Sequence, residues 1–325
     1  MDITVRSEQP ADYSAIAGLT YNAFVNWDPA AFKAEPLLVD VLRHNAGFDP
    51  ELSLVAECQG RIVGHVLLSP FEFVVLGTPQ LGTFLAPLCV DPAYQRGGIG
   101  GMLIERGHDI ARKKGYGFSM LCGHPEYYPR FGYRPRMFSL SGCRLTLGTG
   151  GDRTHGLEER PVLGHDIPWI AAAWRRVHGQ DDLAMFPGAT IGQWFSHAVC
   201  WRSSVLEREG RPVAYVRYGS AYPIVVRELL LREGGARDVL AYLLRERHSR
   251  DGGDCKLSMG EAAVLGLLAP TDAVTITADR ATSDALMIKV LDEGNRVVSR
   301  YCDEVAAGRR EPGIIAFPPA LDMDA

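Results

Sequence analysis

A chain of 325 residues, 46% hydrophobic and with a formal charge of −5, is long enough for two cores and too evenly charged for a general nucleic-acid or membrane-surface binder. Its seven cysteines are scattered without a CxxC pair, which points to reduced thiols and away from a structural zinc site, so no metal is expected. The first residues lack a basic and apolar leader pattern, and no stretch approaches the roughly 18 apolar residues of a membrane span, so a cytoplasmic placement is expected.

Residues 3–6 alternate like a strand, and Pro10 opens a helix with Ile16, Leu19, Ala23 and Phe24 at helical spacing. Leu38, Val41 and Leu42 mark a second, short helix. Residues 52–69 read as two strands joined at Gln59-Gly60, a hairpin signal. "FLAPLCV" at 84–90 is the apolar run of a strand covered on both faces. Positions 98–114 carry helical periodicity, which Gly115 stops, and 117–122 is another buried strand. This order predicts an α/β (α+β) fold, a central mixed sheet with helices on its faces.

"GTGGDRTHG" at 148–156 is the best linker and divides the chain into domains at 1–147 and 157–325. Beyond it, Ile167, Ile170, Ala171, Trp174 and Val177 mark another amphipathic helix. The second half also echoes the first. Gly60, Arg61, Val63 and Val66 recur as Gly210, Arg211, Val213 and Val216, and "REGGARDVL" at 232–240 lies on "QRGGIGGML" at 95–103. A second, diverged copy of the first fold is expected. Most of its aromatics (Trp169, Trp174, Trp194, Trp201, Tyr215, Tyr218 and Tyr222) are expected in its core.

Residues 95–101 read Gln-Arg-Gly-Gly-Ile-Gly-Gly, a Q-x-x-G-x-G pattern between a strand and a helix. The first N–H groups of a helix have no internal partner and sit at the positive end of its dipole, a ready anion site. Side chains at Gly98 and Gly100 would keep an anion from those groups. A phosphate or pyrophosphate held by backbone, with charge from Arg96, is the natural ligand; a tight turn without ligand is the alternative. No Walker or Rossmann glycine order is present.

"LAPLCVDPAYQRGGIGGMLIERGHDIARKKG" followed by "LCGHPEYYPRFGYRP" resembles the GCN5-related N-acetyltransferase (GNAT) superfamily. The likeness rests on Leu88, Val90 and Pro92 before the loop, on the loop itself, and on the Y-x-x-x-G-[FY] ending of Tyr128, Gly132 and Tyr133. "YYPRFGY" is most similar to the YhbS-type branch, and the two-copy layout resembles the Eis-type acetyltransferases. The resemblance implies the GNAT fold, with a mostly antiparallel, twisted sheet flanked by helices and a second degenerate GNAT-like domain. It implies that Gln95, Arg96, Gly97, Gly98, Ile99, Gly100 and Gly101 cradle the pyrophosphate of acetyl-coenzyme A. The pantetheine arm would pair with the strand at Leu88, Cys89 and Val90.

It also implies an N-acetyltransferase acting on a small-molecule amine, with Tyr128 as the acid that protonates the departing thiolate. The base is less defined. His124 is the candidate, since the histidine side chain is the one suited to proton transfer near neutral pH; Glu126, the terminal carboxylate and a water chain are the alternatives, and a plain turn residue is the other reading of His124. Cys89 and Cys122 read as core packing, and Arg130 as a brace for the loop before Phe131. Asp28, Glu35, Asp181 and Asp182 could draw in a cation or be solvated positions. The second copy should be inactive, since Gly100 and Gly101 become Arg237 and Asp238, and should wall the acceptor pocket. Two other functions stay open: a non-catalytic acyl-coenzyme A sensor, and acetylation of protein lysines or N-termini. A roof from residues 160–270 would count against the latter. Self-association is also open.

Overall fold

The structure, a computed structural model, describes residues 2–25, 35–139, 142–149, 154–250, 252–268, 274–279 and 281–322. The first half runs β1 (Thr4–Ser7), α1 (Tyr13–Phe24), α2 (Glu35–Arg43), β2 (Ser53–Cys58), β3 (Arg61–Val75), β4 (Thr78–Val90), α3 (Ile99–Lys113), β5 (Phe118–Cys122), β6 (Phe138–Ser139) and β7 (Cys143–Leu147). The second runs β8 (Leu157–Pro161), α4 (Ile167–His178), β9 (Leu183–Met185), β10 (Trp201–Arg208), β11 (Arg211–Gly219), β12 (Ile224–Leu231), α5 (Ala236–His248) and β13 (Gly253–Leu257). It closes with α6 (Glu261–Leu265), β14 (Val274–Ala278), β15 (Leu286–Val290), α7 (Arg296–Ala306) and β16 (Gly313–Ile314). Among the described residues no helix is long and apolar enough to cross a membrane.

The internal echo is structural. The order β8, α4, β10, β11, β12, α5, β13 repeats β1, α1, β2, β3, β4, α3, β5. Both hairpins turn on two residues of positive φ, Gln59 and Gly60 at 51° and 77°, Glu209 and Gly210 at 52° and 72°, as a tight right-twisted hairpin requires. Both first strands slip register at the same place, between Ala56 and Glu57 and between Leu206 and Glu207.

Each copy is also pinned by the same charged triad. Arg6 grips Asp12 with two N–H···O bonds of 2.7 and 3.0 Å and reaches Glu57 at 3.0 Å. Arg160 grips Asp166 at 2.7 and 3.0 Å and reaches Glu207 at 2.6 Å. The aspartates accept in addition from the backbone N–H of Gln9 and Leu163. One guanidinium thus joins first strand, first helix and hairpin, with the planar two-point geometry that arginine favours.

The division expected at 147/157 does not coincide with the sheets. The first sheet runs β1-β2-β3-β4-β5-β15, with β9 on the far end of β3; the second runs β14-β7-β13-β12-β11-β10-β8. Each half therefore lends strands to the other. β15 pairs antiparallel with β5 from Leu286↔Cys122 to Val290↔Phe118, and β7 sits between β13 and β14. In both copies the fifth strand would otherwise present an open edge of unpaired N–H and C=O groups. Pairing between residues more than 100 positions apart leaves no local trace in sequence.

β3 and β4 also extend past the expected ends, turning at Leu76 and Gly77, φ 49° and 69°. Beyond Pro70, Phe71, Phe73 and Val75 alternate inward, against a core that includes Leu286, Ile288, Val298, Tyr301 and Leu321. The other face of this sheet packs on α3, whose Ile99, Leu103, Ile104 and Ala111 form a buried stripe. In the second half Trp174, Trp194, Tyr215 and Tyr218 are buried; Trp169 and Trp201 are half-buried and Tyr222 is exposed.

Asp166 is completely buried, so removing its partner leaves an uncompensated charge. Arg160→Met is expected to lower the stability of the whole chain by roughly 3 kcal/mol in urea unfolding. A change below about 0.5 kcal/mol would show that the triad is decorative.

Candidate functional site

β4 and β5 run parallel, but they pair only from Gly82↔Phe118 to Phe84↔Met120. Past that point β4 bulges: Val66 faces Leu88 while Leu68 faces Leu85, so Ala86 and Pro87 both stand opposite Leu67. The bulge bends β4 away from β5 and leaves its backbone from residue 85 to 90 without a β5 partner.

The chain then turns into α3. Asp91 caps the turn, its Oδ1 accepting from the Ala93 N–H at 2.9 Å while Arg61 holds Oδ2 at 2.7 Å. Gln95 Nε2 donates to the Val90 carbonyl at 3.1 Å, fastening the loop to the strand end. Arg96 takes a positive φ of 65°, and Gly98, the N-cap of α3, one of 82°. The first helical bond is Met102 N–H to Gly98 O, so the N–H groups of Ile99, Gly100 and Gly101 have no carbonyl within the helix.

The glycines act differently from one another. A Cβ on Gly98 would meet nothing within 4 Å, so the position is glycine for its φ and faces open space. A Cβ on Gly100 would sit 2.5 Å from the Tyr127 hydroxyl, and one on Gly101 3.1 Å from the Phe131 ring. Gly100 therefore also leaves room for Tyr127, besides lining the space in which an anion is expected. Tyr127 and Phe131 were not singled out in the sequence; their aromatic type in "YYPRF" is the only signal.

A cavity of about 860 Å³ opens over this helix start. Leu88, Val90, Gln95, Arg96, Gly98, Ile99, Gly100 and Gly101 line it, with His124, Tyr127, Tyr128, Arg130 and Phe131. Two expected residues do not: Gly97 is exposed on the loop, and Cys89 faces α1, 3.6 Å from Thr20 Oγ1, where burial pushes its thiol up to about 12. Strand alternation is the reason, since Leu88 and Val90 take the other face.

A second cavity, about 750 Å³, lies across β4. Its walls include Glu35 and Leu38 of α2, Phe84 and Pro87 of β4, Cys122, and Ala285 just before β15. Leu88, Val90, Gln95, His124 and Tyr128 line both cavities, which therefore meet where the strands part. Cys122 is exposed here and not core, the strand ending one residue early for burial, yet its surroundings still push its thiol pKa up.

Tyr128 is 8% exposed at this junction. Its ring fills the space a Cβ on Gly123 would need and stands edge-on to Tyr127 at 5.1 Å and Tyr133 at 5.9 Å. Burial raises its pKa above the ordinary tyrosine value, with Tyr127 and Cys122 adding to the effect. His124 is exposed on the turn after β5, and its carbonyl accepts from the Tyr127 N–H at 3.1 Å. Glu126 lines neither of these two cavities. Arg130 braces the loop, stacking on Tyr127 at 4.5 Å and donating to its carbonyl.

Of the acidic residues named from sequence, Glu35 lines the second cavity, whereas Asp181 holds His178 at 2.6 Å and Asp182 holds Arg310 at 2.6 Å, away from both cavities. Asp28 and the terminal carboxylate of Ala325 lie outside the described residues. The expected roof is also absent: among the described residues, none from 160–270 lines the second cavity, and Ala285 is the second half's contribution.

The equivalent place in the second copy is filled by protein. Gly235 caps α5 as Gly98 caps α3, but the Ala236 N–H donates to the Leu267 carbonyl at 3.2 Å. Arg237 is 5% exposed and donates to the Gly148 carbonyl at 3.1 Å.

A family model described as an acetyltransferase (GNAT) domain matches residues 4–136. The chain is 39% identical over 104 residues to the uncharacterized N-acetyltransferase YjhQ of Escherichia coli, a stretch covering 32% of this chain and 58% of that protein. It is 34% identical over 161 residues to the uncharacterized N-acetyltransferase YhbS of Escherichia coli, covering 49% of this chain and 90% of YhbS. Two solved structures share the fold over 90% of this chain. A GCN5-related N-acetyltransferase from Anabaena variabilis does so with a TM-score of 0.63 at 14% identity and 73% coverage of that chain. Eis1 from Mycobacterium abscessus does so with 0.59 at 16% identity and 74% coverage. The parted strands, the bare helix start and the relatives agree, and the chain belongs to the GNAT N-acetyltransferase family, a family of acetyl-coenzyme A-dependent acyltransferases.

Proposed function

We propose that this protein, in the cytoplasm, transfers an acetyl group from acetyl-coenzyme A directly to the amine of a small molecule. The observation that carries this reading is the meeting of two cavities at Tyr128, one over the bare start of α3 and the other across β4.

The residues fit acetyl-coenzyme A: Gly98 faces open space, and residues 85–90 of β4 lack a partner strand on the β5 side. The N–H groups of Ile99, Gly100 and Gly101 would hold the diphosphate, with Arg96 and Arg130 lining the same cavity. The free edge of β4 around Leu88 and Val90 would pair with the amide-bearing arm as an added strand does. Main-chain N–H groups of the same edge can donate to the thioester oxygen as charge builds there. Bound acetyl-coenzyme A supplies the activated acyl group.

His124, facing both cavities, takes the proton of the attacking amine. Tyr128 gives its proton to the leaving sulfur. A phenol kept protonated by burial is suited to that, because it stays an acid throughout the physiological range. Direct transfer is favoured over an acyl-cysteine because Cys89 and Cys122, the thiols lining the second cavity among the described residues, both have their pKa pushed up, and the thiolate is what reacts. An acceptor cavity of about 750 Å³ suits a small molecule better than a protein segment.

Two outcomes are expected. Tyr128→Phe should lower kcat for amine-dependent thiol release by roughly 100-fold with little change in acetyl-coenzyme A affinity. Since the acid form is the active one and its pKa is raised, the wild-type rate should show no loss assignable to Tyr128 up to about pH 10. An unchanged rate in Tyr128→Phe would remove the acid role, and thiol release independent of amine would favour the sensor reading. Separately, Gly98→Glu should weaken coenzyme A binding by about tenfold or more in calorimetry, since it sets a carboxylate in the open space before the bare N–H groups where the diphosphate would lie. Unchanged affinity would place the diphosphate elsewhere.

A further inference from the structure

Buried carboxylates in this molecule are paired. Glu8 is held by Arg43, Asp12 by Arg6, Asp166 by Arg160, Glu228 by His178 and Asp322 by Arg217. Glu35, a half-buried residue, differs from them. Its Oε2 is buried without a hydrogen-bond partner, alone in this among the carboxylate oxygens of the described residues. It opens α2 and lines the second cavity, which Leu38, Phe84 and Pro87 also line, together with polar residues such as Asn22, Gln95 and His124. Among the described residues it is also the only carboxylate lining that cavity. A buried carboxylate oxygen without a partner is costly unless a ligand satisfies it, and a cation is the ligand that does.

We propose that Glu35 selects the acceptor, which is an amine whose apolar body carries a second cationic group. One nitrogen reaches the junction at Tyr128 and is acetylated, while the other, still protonated, pairs with Glu35. This rests on the acetyl-transfer reading and deepens it. A neutral carbon chain suits the wall of Leu38, Phe84 and Pro87 between the two ends. Glu35 is a specificity residue here and takes no part in the bond changes.

The test compares α,ω-diaminoalkanes of four to eight carbons with n-alkylamines of the same lengths, followed as thiol release from acetyl-coenzyme A. Wild-type protein should favour the best diamine at least tenfold in kcat/KM over its monoamine, chiefly through KM. Glu35→Gln should bring that ratio close to one, and Glu35→Asp should keep part of it. Titration of the same diamine into protein saturated with coenzyme A should give heat that Glu35→Gln abolishes. A ratio near one in the wild type, or an equal ratio in Glu35→Gln, overturns the proposal while leaving acetyl transfer standing. Diamine heat lost in Glu35→Gln without turnover of any amine supports the cation site and overturns the transfer reading. Absence of both heat and turnover overturns the two together.

Discussion

Two parallel strands that part after three pairs create this site. β5 can leave β4 at Phe84 only because its other edge is held along five residues by β15, from the far end of the chain. The Gly123 N–H, one residue past β5, donates to the Ala285 carbonyl at 2.9 Å, so the same long-range pairing positions the turn that carries His124 and leads to Tyr128. Without it, a strand with three partners would have little reason to stand apart from its neighbour. The cleft is thus a property of the whole chain, although most of the residues lining it come from the first half.

The exchange of strands also explains what an inactive copy contributes. The second half keeps the order, the hairpin turns, the register slip and the arginine-centred triad of the first. It has lost the bare helix start, where the Leu267 carbonyl now takes the Ala236 N–H. What it gives in return is support. β9 and β15 complete the first sheet, and α7 with the chain beyond it covers that sheet's core, Phe317 standing edge-on to Phe84 at 5.9 Å. Support of this kind asks for apolar faces and pairing edges, and these survive changes that destroy an anion site.

Much of this was readable from the residues because it is local. The Gln59-Gly60 turn, the apolar run at 84–90, the glycine loop and the stop at Gly115 all depend on neighbours in sequence, and each lies where expected. The expected cofactor residues line the first cavity apart from Cys89, turned away by strand alternation, and Gly97. What escaped depends on distance. The placement of β7 and β15 needs pairing across the chain, and the use of Gly100 by Tyr127 needs the loop after β5 folded back on α3. Cys122 looked like core because the run before it is apolar. Glu35 looked like any acidic residue at a helix start until its buried oxygen proved to have no partner.

The central claim is that main-chain amides of the β4 edge and of the α3 start are kept bare for a diphosphate-bearing thioester carrier. Amide hydrogen exchange followed by mass spectrometry, with and without coenzyme A, reads those groups themselves. Slowed exchange confined to peptides covering 85–90 and 96–102 is the expected result. No change in either stretch, or protection centred instead on the start of α5, would contradict it.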